Sequence, residues 1–157
     1  MNKKLAIVST IFFLAGNIIL LYGQNLVVNG GFEEELLGNI SMWNPSAFMM
    51  NDASTLMVPV EGISHSGERS LLMVNHVPND SRLIQWISVQ PETFYRVSAW
   101  VLVEQVGPGG KGANMSVFGS SFASSDIRSS NGKWVEVSFA GKTGIDQTAL
   151  PVCVRLG

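Results

Sequence analysis

Only one cysteine, Cys153, stands in this 157-residue chain. No disulfide can form within it, so a domain of this length must be held by its hydrophobic core. Cys153 lies in the last apolar run, where a small buried side chain is the usual fate of a lone thiol. Histidine is nearly as scarce. His65 and His76 are the only two, both in segments of loop or strand-edge character, and neither has a companion at zinc-ligand spacing. The ten Lys and Arg are scattered and the formal net charge is −2, which leaves no basic stripe for a nucleic-acid backbone. A phosphate loop and a G-x-S-x-G elbow are both missing. The run Glu33-Glu34-Glu35 supplies carboxylates, but glycoside hydrolysis needs two such groups held across a cleft, and adjacent residues do not straddle a sugar. Solvated surface or metal ligation is the better reading, and no catalytic role is expected.

What the chain does have begins at its N-terminus. Lys3 and Lys4 precede an almost wholly apolar run from Leu5 to Leu21, followed by Tyr22-Gly23-Gln24. That is the design of a secretory signal peptide spanning residues 1–24, cut after Gly23 or Gln24. A retained membrane anchor is the alternative, because the run approaches the roughly 20 residues that a spanning helix needs. No cysteine follows the run to accept a bacterial lipid. The expectation is a secreted or cell-surface domain over residues 25–157.

That domain reads as strands throughout. LLMV (71–74), LIQWISV (83–89), FYRVSAWVLV (94–103), MSVF (115–118), WVEVSF (134–139) and PVCVRL (151–156) are short and rich in Val, Ile, Phe, Tyr and Trp, with Gly, Pro, Asn and Ser between them. Several strands at such spacing indicate an all-β sandwich or barrel. In 94–103, Tyr95, Val97, Ala99, Val101 and Val103 share the core face, opposite Arg96, Ser98, Trp100, Leu102 and Glu104. Val135, Val137 and Phe139 likewise oppose Trp134, Glu136 and Ser138. In 83–89, Leu83, Ile87 and Val89 take Gln85 inward and leave Trp86 outward.

Exposed aromatic surface marks binding sites, and a flat indole covers the apolar face of a sugar ring while polar neighbours bond its hydroxyls. Trp86 and Trp100 are therefore the candidate ligand platform, with Arg96 and Gln85 at its rim. The competing reading has loops covering both indoles, or the period slipping by one at a bulge. Trp43, beside Pro45, and Trp134, at the start of a core strand, are weaker candidates.

Asn29-Gly30-Gly31-Phe32-Glu33 followed by Trp43, His65-Ser66-Gly67-Glu68-Arg69-Ser70-Leu71, Ile84-Gln85 with Val89-Gln90-Pro91, Tyr95 to Trp100, and Lys133 to Val137 together resemble the carbohydrate-binding modules of families 4, 9, 16 and 22. The resemblance covers nearly all of residues 25–157. It implies a galactose-binding-like jelly-roll sandwich, with a cleft across one sheet for a β-linked polysaccharide such as xylan, glucan or mannan. Such a module is non-catalytic and keeps a polysaccharide-degrading enzyme on its substrate.

The resemblance also implies a structural calcium. Glu33 is the matching side chain, and backbone carbonyls around Ser66 to Ser70 would complete the set. On this reading Asn-Gly-Gly permits the turn, Phe32 seals the core end, and Glu34 and Glu35 need only be solvated, though either could replace Glu33 if the turn is set one residue differently. Members of these families usually continue past the equivalent of Val152 to Gly157 into a Gly-rich turn and a last strand carrying an Asp. The chain resembles them without that strand, which puts the calcium in question and leaves a sheet edge open. The rival function is a structural or protein-interaction sandwich from a larger exported protein. A groove lined by adjoining exposed tryptophans would favour the sugar; a flat apolar patch would favour the protein partner.

Overall fold

The structure, a computed structural model, describes residues 3–13, 24–104 and 106–157, the first of these by its backbone alone. The described residues contain strands, turns and bends but no helix. In chain order the strands are β1 (Lys3–Phe13), β2 (Glu35–Leu36), β3 (Asn39–Ile40), β4 (Asn44–Ala47), β5 (Thr55–Glu61), β6 (Arg69–Asn75), β7 (Ser81–Ser88), β8 (Phe94–Val103), β9 (Ala113–Val117), β10 (Val135–Lys142) and β11 (Ala149–Leu156). A five-stranded sheet of order β10-β8-β1-β6-β5 and a four-stranded sheet of order β4-β7-β11-β9 form the two layers, and β2 with β3 makes a short ribbon. Every pairing is antiparallel. The all-β sandwich expected from the strand pattern is what forms.

The core follows the alternation closely. Tyr95, Val97, Ala99, Val101 and Val103 of β8 are buried, and they meet Leu83 and Ile87 of β7 and Val152, Val154 and Leu156 of β11 in one cluster. Gln85 points inward with them, as its position between Leu83 and Ile87 requires. Prolines sit where a missing N–H does least harm. Pro45 is in β4 and Pro59 in β5, both edge strands. Pro151 lies in a central strand, but the β9 ladder begins only at Val152.

β5, TLMVPVE, has apolar residues on both faces and a proline in its middle, so it shows no clean period to a reader of the sequence. The larger surprise is β1. Residues 1–24, read as an export signal, include residues 14–23, which lie outside those described. Lys3–Phe13, however, pairs between β6 and β8 in the interior of the five-stranded sheet. A short apolar run suits a buried strand as well as a signal, and periodicity alone does not separate the two.

Candidate functional site

From residue 24 the chain runs along the sandwich and makes a knot at Asn29. The Asn29 amide donates to the carbonyls of Glu34 (2.8 Å) and Ser41 (3.0 Å), while its Oδ1 accepts from Glu34 N–H (3.0 Å). The Trp43 indole N–H donates to the Asn29 carbonyl at 3.1 Å, and its ring packs on Phe32 at 5.5 Å between centroids. Phe32 is fully buried, as expected of a residue sealing the core end. The backbone differs from expectation: Asn29 and Phe32, not Gly30 and Gly31, carry the positive φ angles, 50° and 62°. Asn tolerates that conformation; for Phe32 the complete burial of its ring offsets the strain.

This knot builds one wall of a groove beside Trp86. The β4–β7 ladder ends at the Asn44–Ile84 pair, and past it the segment through Leu26 and Val28 lies alongside β7. Gln85 fixes that segment. Its Oε1 accepts from Val28 N–H at 2.9 Å, and its Nε2 donates to the carbonyls of Val28 (2.8 Å) and Met42 (3.2 Å). The buried amide is thus engaged by the backbone rather than turned to a ligand. The groove has a volume of about 590 Å³ and is lined by Leu26, Val28, Met42, Trp43, Asn44 and Trp86, among others. Trp86 is 64% exposed, Met42 62% and Val28 50%.

Trp100 stands elsewhere. It lies on the outer side of β8 in the five-stranded sheet, whereas Trp86 lies on β7 in the four-stranded one, so the two indoles share no groove. The His65 ring stacks on Trp100 with centroids 4.0 Å apart and planes 7° from parallel, and Trp134 meets His65 edge-on at 6.0 Å. Arg96, on the same side of β8, donates to Glu136 Oε1 at 2.7 Å and to Ser138 Oγ at 3.2 Å. Of the four predicted ligand residues, Arg96 and Trp100 lie on the five-stranded sheet and Gln85 and Trp86 at the groove of the four-stranded one, so the four make no single platform. The alternation correctly assigns both tryptophans to outward faces, but only strand pairing shows which sheet each face belongs to. His65 was read as a loop residue, but its stacking on Trp100 carries no signal in the sequence because a loop has no period.

That loop is held by Glu33. Its Oε1 accepts from the N–H groups of Glu68 (3.0 Å) and Arg69 (3.3 Å). Gly67 takes a φ of 73°, which strains any residue with a Cβ, and a Cβ there would lie 2.1 Å from Glu33 Oε1 and push the carboxylate aside. Glu33 therefore joins the first segment to the Gly67 loop through hydrogen bonds. Among the described residues no group of three His, Cys, Asp or Glu could hold a metal ion. Glu35 does more than meet solvent: Arg69 bridges it at 3.3 Å to Glu61 at 2.7 Å.

The outer side of the four-stranded sheet continues from Trp86 to a polar row. Arg155 binds Asp80 through Nε (2.6 Å) and Nη2 (2.7 Å), and Arg82 bonds the same carboxylate. Cys153 lies among them, its thiol 3.1 Å from Ser116 Oγ. Burial pushes the thiol pKa above the ordinary 9.0, against the lowering effects of Ser116 and the two arginines. A neutral buried thiol is a poor nucleophile. In comparisons with known proteins the chain matches no family model, no curated protein and no solved structure.

Proposed function

We propose that this chain is a non-catalytic interaction module of an exported protein, and that the groove beside Trp86 is where a partner polypeptide docks. One observation carries the reading: Trp86, Met42 and Val28 are at least half exposed and adjoin one another around a single groove. Contiguous exposed apolar surface of this kind is characteristic of interfaces, and tryptophan is prominent among the residues that carry binding energy. Leu26, Val28, Met42 and Ile87 give Trp86 an aliphatic setting, and the Gln85 amide beside it is already bonded to the backbone. A photo-crosslinking residue in place of Trp86, compared with one at the exposed Ile145, tests it in the cells that make the protein. A discrete polypeptide adduct at position 86 alone supports the proposal; equal or absent adducts at both sites would remove it.

A second reading has its own support. Trp100, His65 and Trp134 form an aromatic group flanked by Arg96 and Glu136 on the outside of the five-stranded sheet. That mixture of rings and polar rim suits a β-linked polysaccharide, and jelly-roll connectivity belongs to this reading. So does calcium: Glu33 would give a carboxylate oxygen, and carbonyls of the Gly67 loop the remainder. Affinity gel electrophoresis against xylan, mixed-linkage glucan and mannan tests it, with retardation lost in Trp100→Ala. A folded protein retarded by none of them rejects the polysaccharide reading for these three glycans.

A further inference from the structure

Four strands stand at the edges of the two main sheets, and three of them are blunted or covered. β4 is four residues long and contains Pro45, and β5 carries Pro59 within it. The free side of β9 is covered by residues 122–127: Ala113 and Ile127 exchange both backbone hydrogen bonds (2.9 and 2.8 Å), and Val117 N–H donates to the Phe122 carbonyl at 2.9 Å. Shortness, proline and a covering segment are common protections of an open edge. Among the described residues β10 has none of them. Val135–Lys142 is eight residues long, lacks proline, and pairs with β8 alone.

The direction of its unpaired groups follows from the ladder. Thr143 N–H donates to the Thr93 carbonyl at 3.0 Å, one step beyond the Lys142–Phe94 pair. Counting back by twos, the backbone N–H and C=O groups of Gly141, Phe139, Val137 and Val135 face β8. Those of Glu136, Ser138, Ala140 and Lys142 face the open edge. The side chains of these four are exposed on the outer side of the sheet, with a carboxylate at one end of the row and an ammonium at the other. The inner row is apolar, and the Phe122 ring, 55% exposed, lies beside Gly141.

A strand that pairs here has to answer both charges, and a second β10 running antiparallel does so. With Phe139 on the two-fold axis, Glu136 of each copy stands opposite Lys142 of the other, and Ser138 opposite Ala140. The two Phe139 residues then form a non-hydrogen-bonded pair with Cα atoms about 4.5 Å apart. Sliding one strand by two residues puts Glu136 opposite Ala140 or Gly144 instead, and a parallel in-register pair sets like charges together. Glu136 is already bridged to Arg96 at 2.7 Å and Lys142 to Glu92 at 3.4 Å, so the antiparallel pair joins them in a row of alternating sign. We propose that the open edge of β10 is a homodimer interface, where a second copy of this chain adds its own β10 antiparallel about Phe139. The two five-stranded sheets become one continuous sheet that ends in β5 on both sides, where Pro59 opposes further growth. This interface lies on the other sheet from the Trp86 groove and does not depend on it.

The test measures the mass of the full-length protein by sedimentation over a range of concentration, with hydrogen exchange of Val135–Lys142 in dilute and concentrated samples. Glu136→Lys and Lys142→Glu each turn two attractive pairs into repulsive ones and should weaken the dimer by about ten-fold or more. Mixed in equal amounts, the two variants complement each other, and association should return to near the parent level. Ala140→Pro removes an N–H that faces the open edge and none that bonds β8, so it should abolish the dimer and keep the fold. In the parent, the Ser138 and Ala140 amides should exchange freely when dilute and slowly when concentrated, with Val137 and Phe139 protected in both. Where a variant does not fold, that concentration dependence in the parent decides. A parent that stays monomeric overturns the proposal, as does a dimer indifferent to the charge variants or a mixture no better than either alone. Ser138 and Ala140 amides already slow in the monomer overturn it too, because another segment of the chain then holds the edge.

Discussion

Trp86 and Trp100 hold equivalent places in their strands, each on the outward side of an alternating run. Yet Trp86 keeps 64% of its surface in solvent, while Trp100 is half-buried beneath His65. The difference comes from what lies beside each strand. Next to Trp86 the β4 ladder stops and the segment through Val28 is held back by Gln85, which leaves a groove. Next to Trp100 the Gly67 loop folds over the sheet, anchored by Glu33. An outward position in a strand is thus a statement about the sheet plane, and exposure is decided by the loops that cross it.

The comparison breaks most sharply at Gln85. Replacing it with Leu leaves the Val28 N–H and two carbonyls without their partners, and a lost buried hydrogen bond of this kind costs about 1–3 kcal/mol. Denaturant melts of Gln85→Leu should show a loss of about 2–4 kcal/mol, and Trp86 fluorescence should shift as the groove wall moves. A variant as stable as the parent would mean that the wall stands without the amide.

On the other face, Trp100→Ala should cost about 1–2 kcal/mol, less than the roughly 3–5 kcal/mol of a fully buried aromatic, because only part of the indole is covered. His65→Ala should cost less and make Trp100 more accessible to an aqueous quencher. If quenching is unchanged, the stack does not shield the indole.

Glu33→Ala removes the anchor of the same loop. Its hydrogen bonds are exposed, so we expect a loss of about 1 kcal/mol, again with increased quenching of Trp100 and none of Trp86. Melts with calcium and with chelator sharpen the result. A calcium-dependent rise in Tm in the parent that vanishes in the variant supports metal at Glu33 by linkage between binding and folding. Equal melting under both conditions in a folded parent removes it.

Cys153 probes the floor of the Trp86 face. Its pKa is raised by burial, so the folded state prefers the neutral thiol. The stabilising contribution is whole below the ordinary value of 9.0 and is lost as pH rises through the higher folded value. Stability should decline above pH 9 in the parent and decline less in Cys153→Ala. The same decline in both would place the alkaline transition in another group. The smallest effect belongs to Trp86 itself. Trp86→Ala should leave stability within about 0.5 kcal/mol, as for most surface substitutions, and a larger loss would show that the indole supports the fold.

Much of the sandwich was legible in the sequence because side chains in a strand alternate across the sheet. The core-facing set from Tyr95 to Val103, the inward Gln85 and the outward Trp86 follow from that alternation alone, whereas the buried Phe32 was implied by the family resemblance. The family resemblance, rather than local pattern, put Glu33 near the loop at Gly67, and the contact there is made by hydrogen bonds. Tertiary structure decided the rest. Which sheet each strand joins depends on partners distant in sequence, and so it separated Trp86 from Trp100. His65 has no periodic signal, because loop residues acquire neighbours only when strands bring the loop over them. The apolar run Lys3–Phe13 satisfies the rules for both an export signal and a buried strand, and only its register with β6 and β8 shows where it pairs.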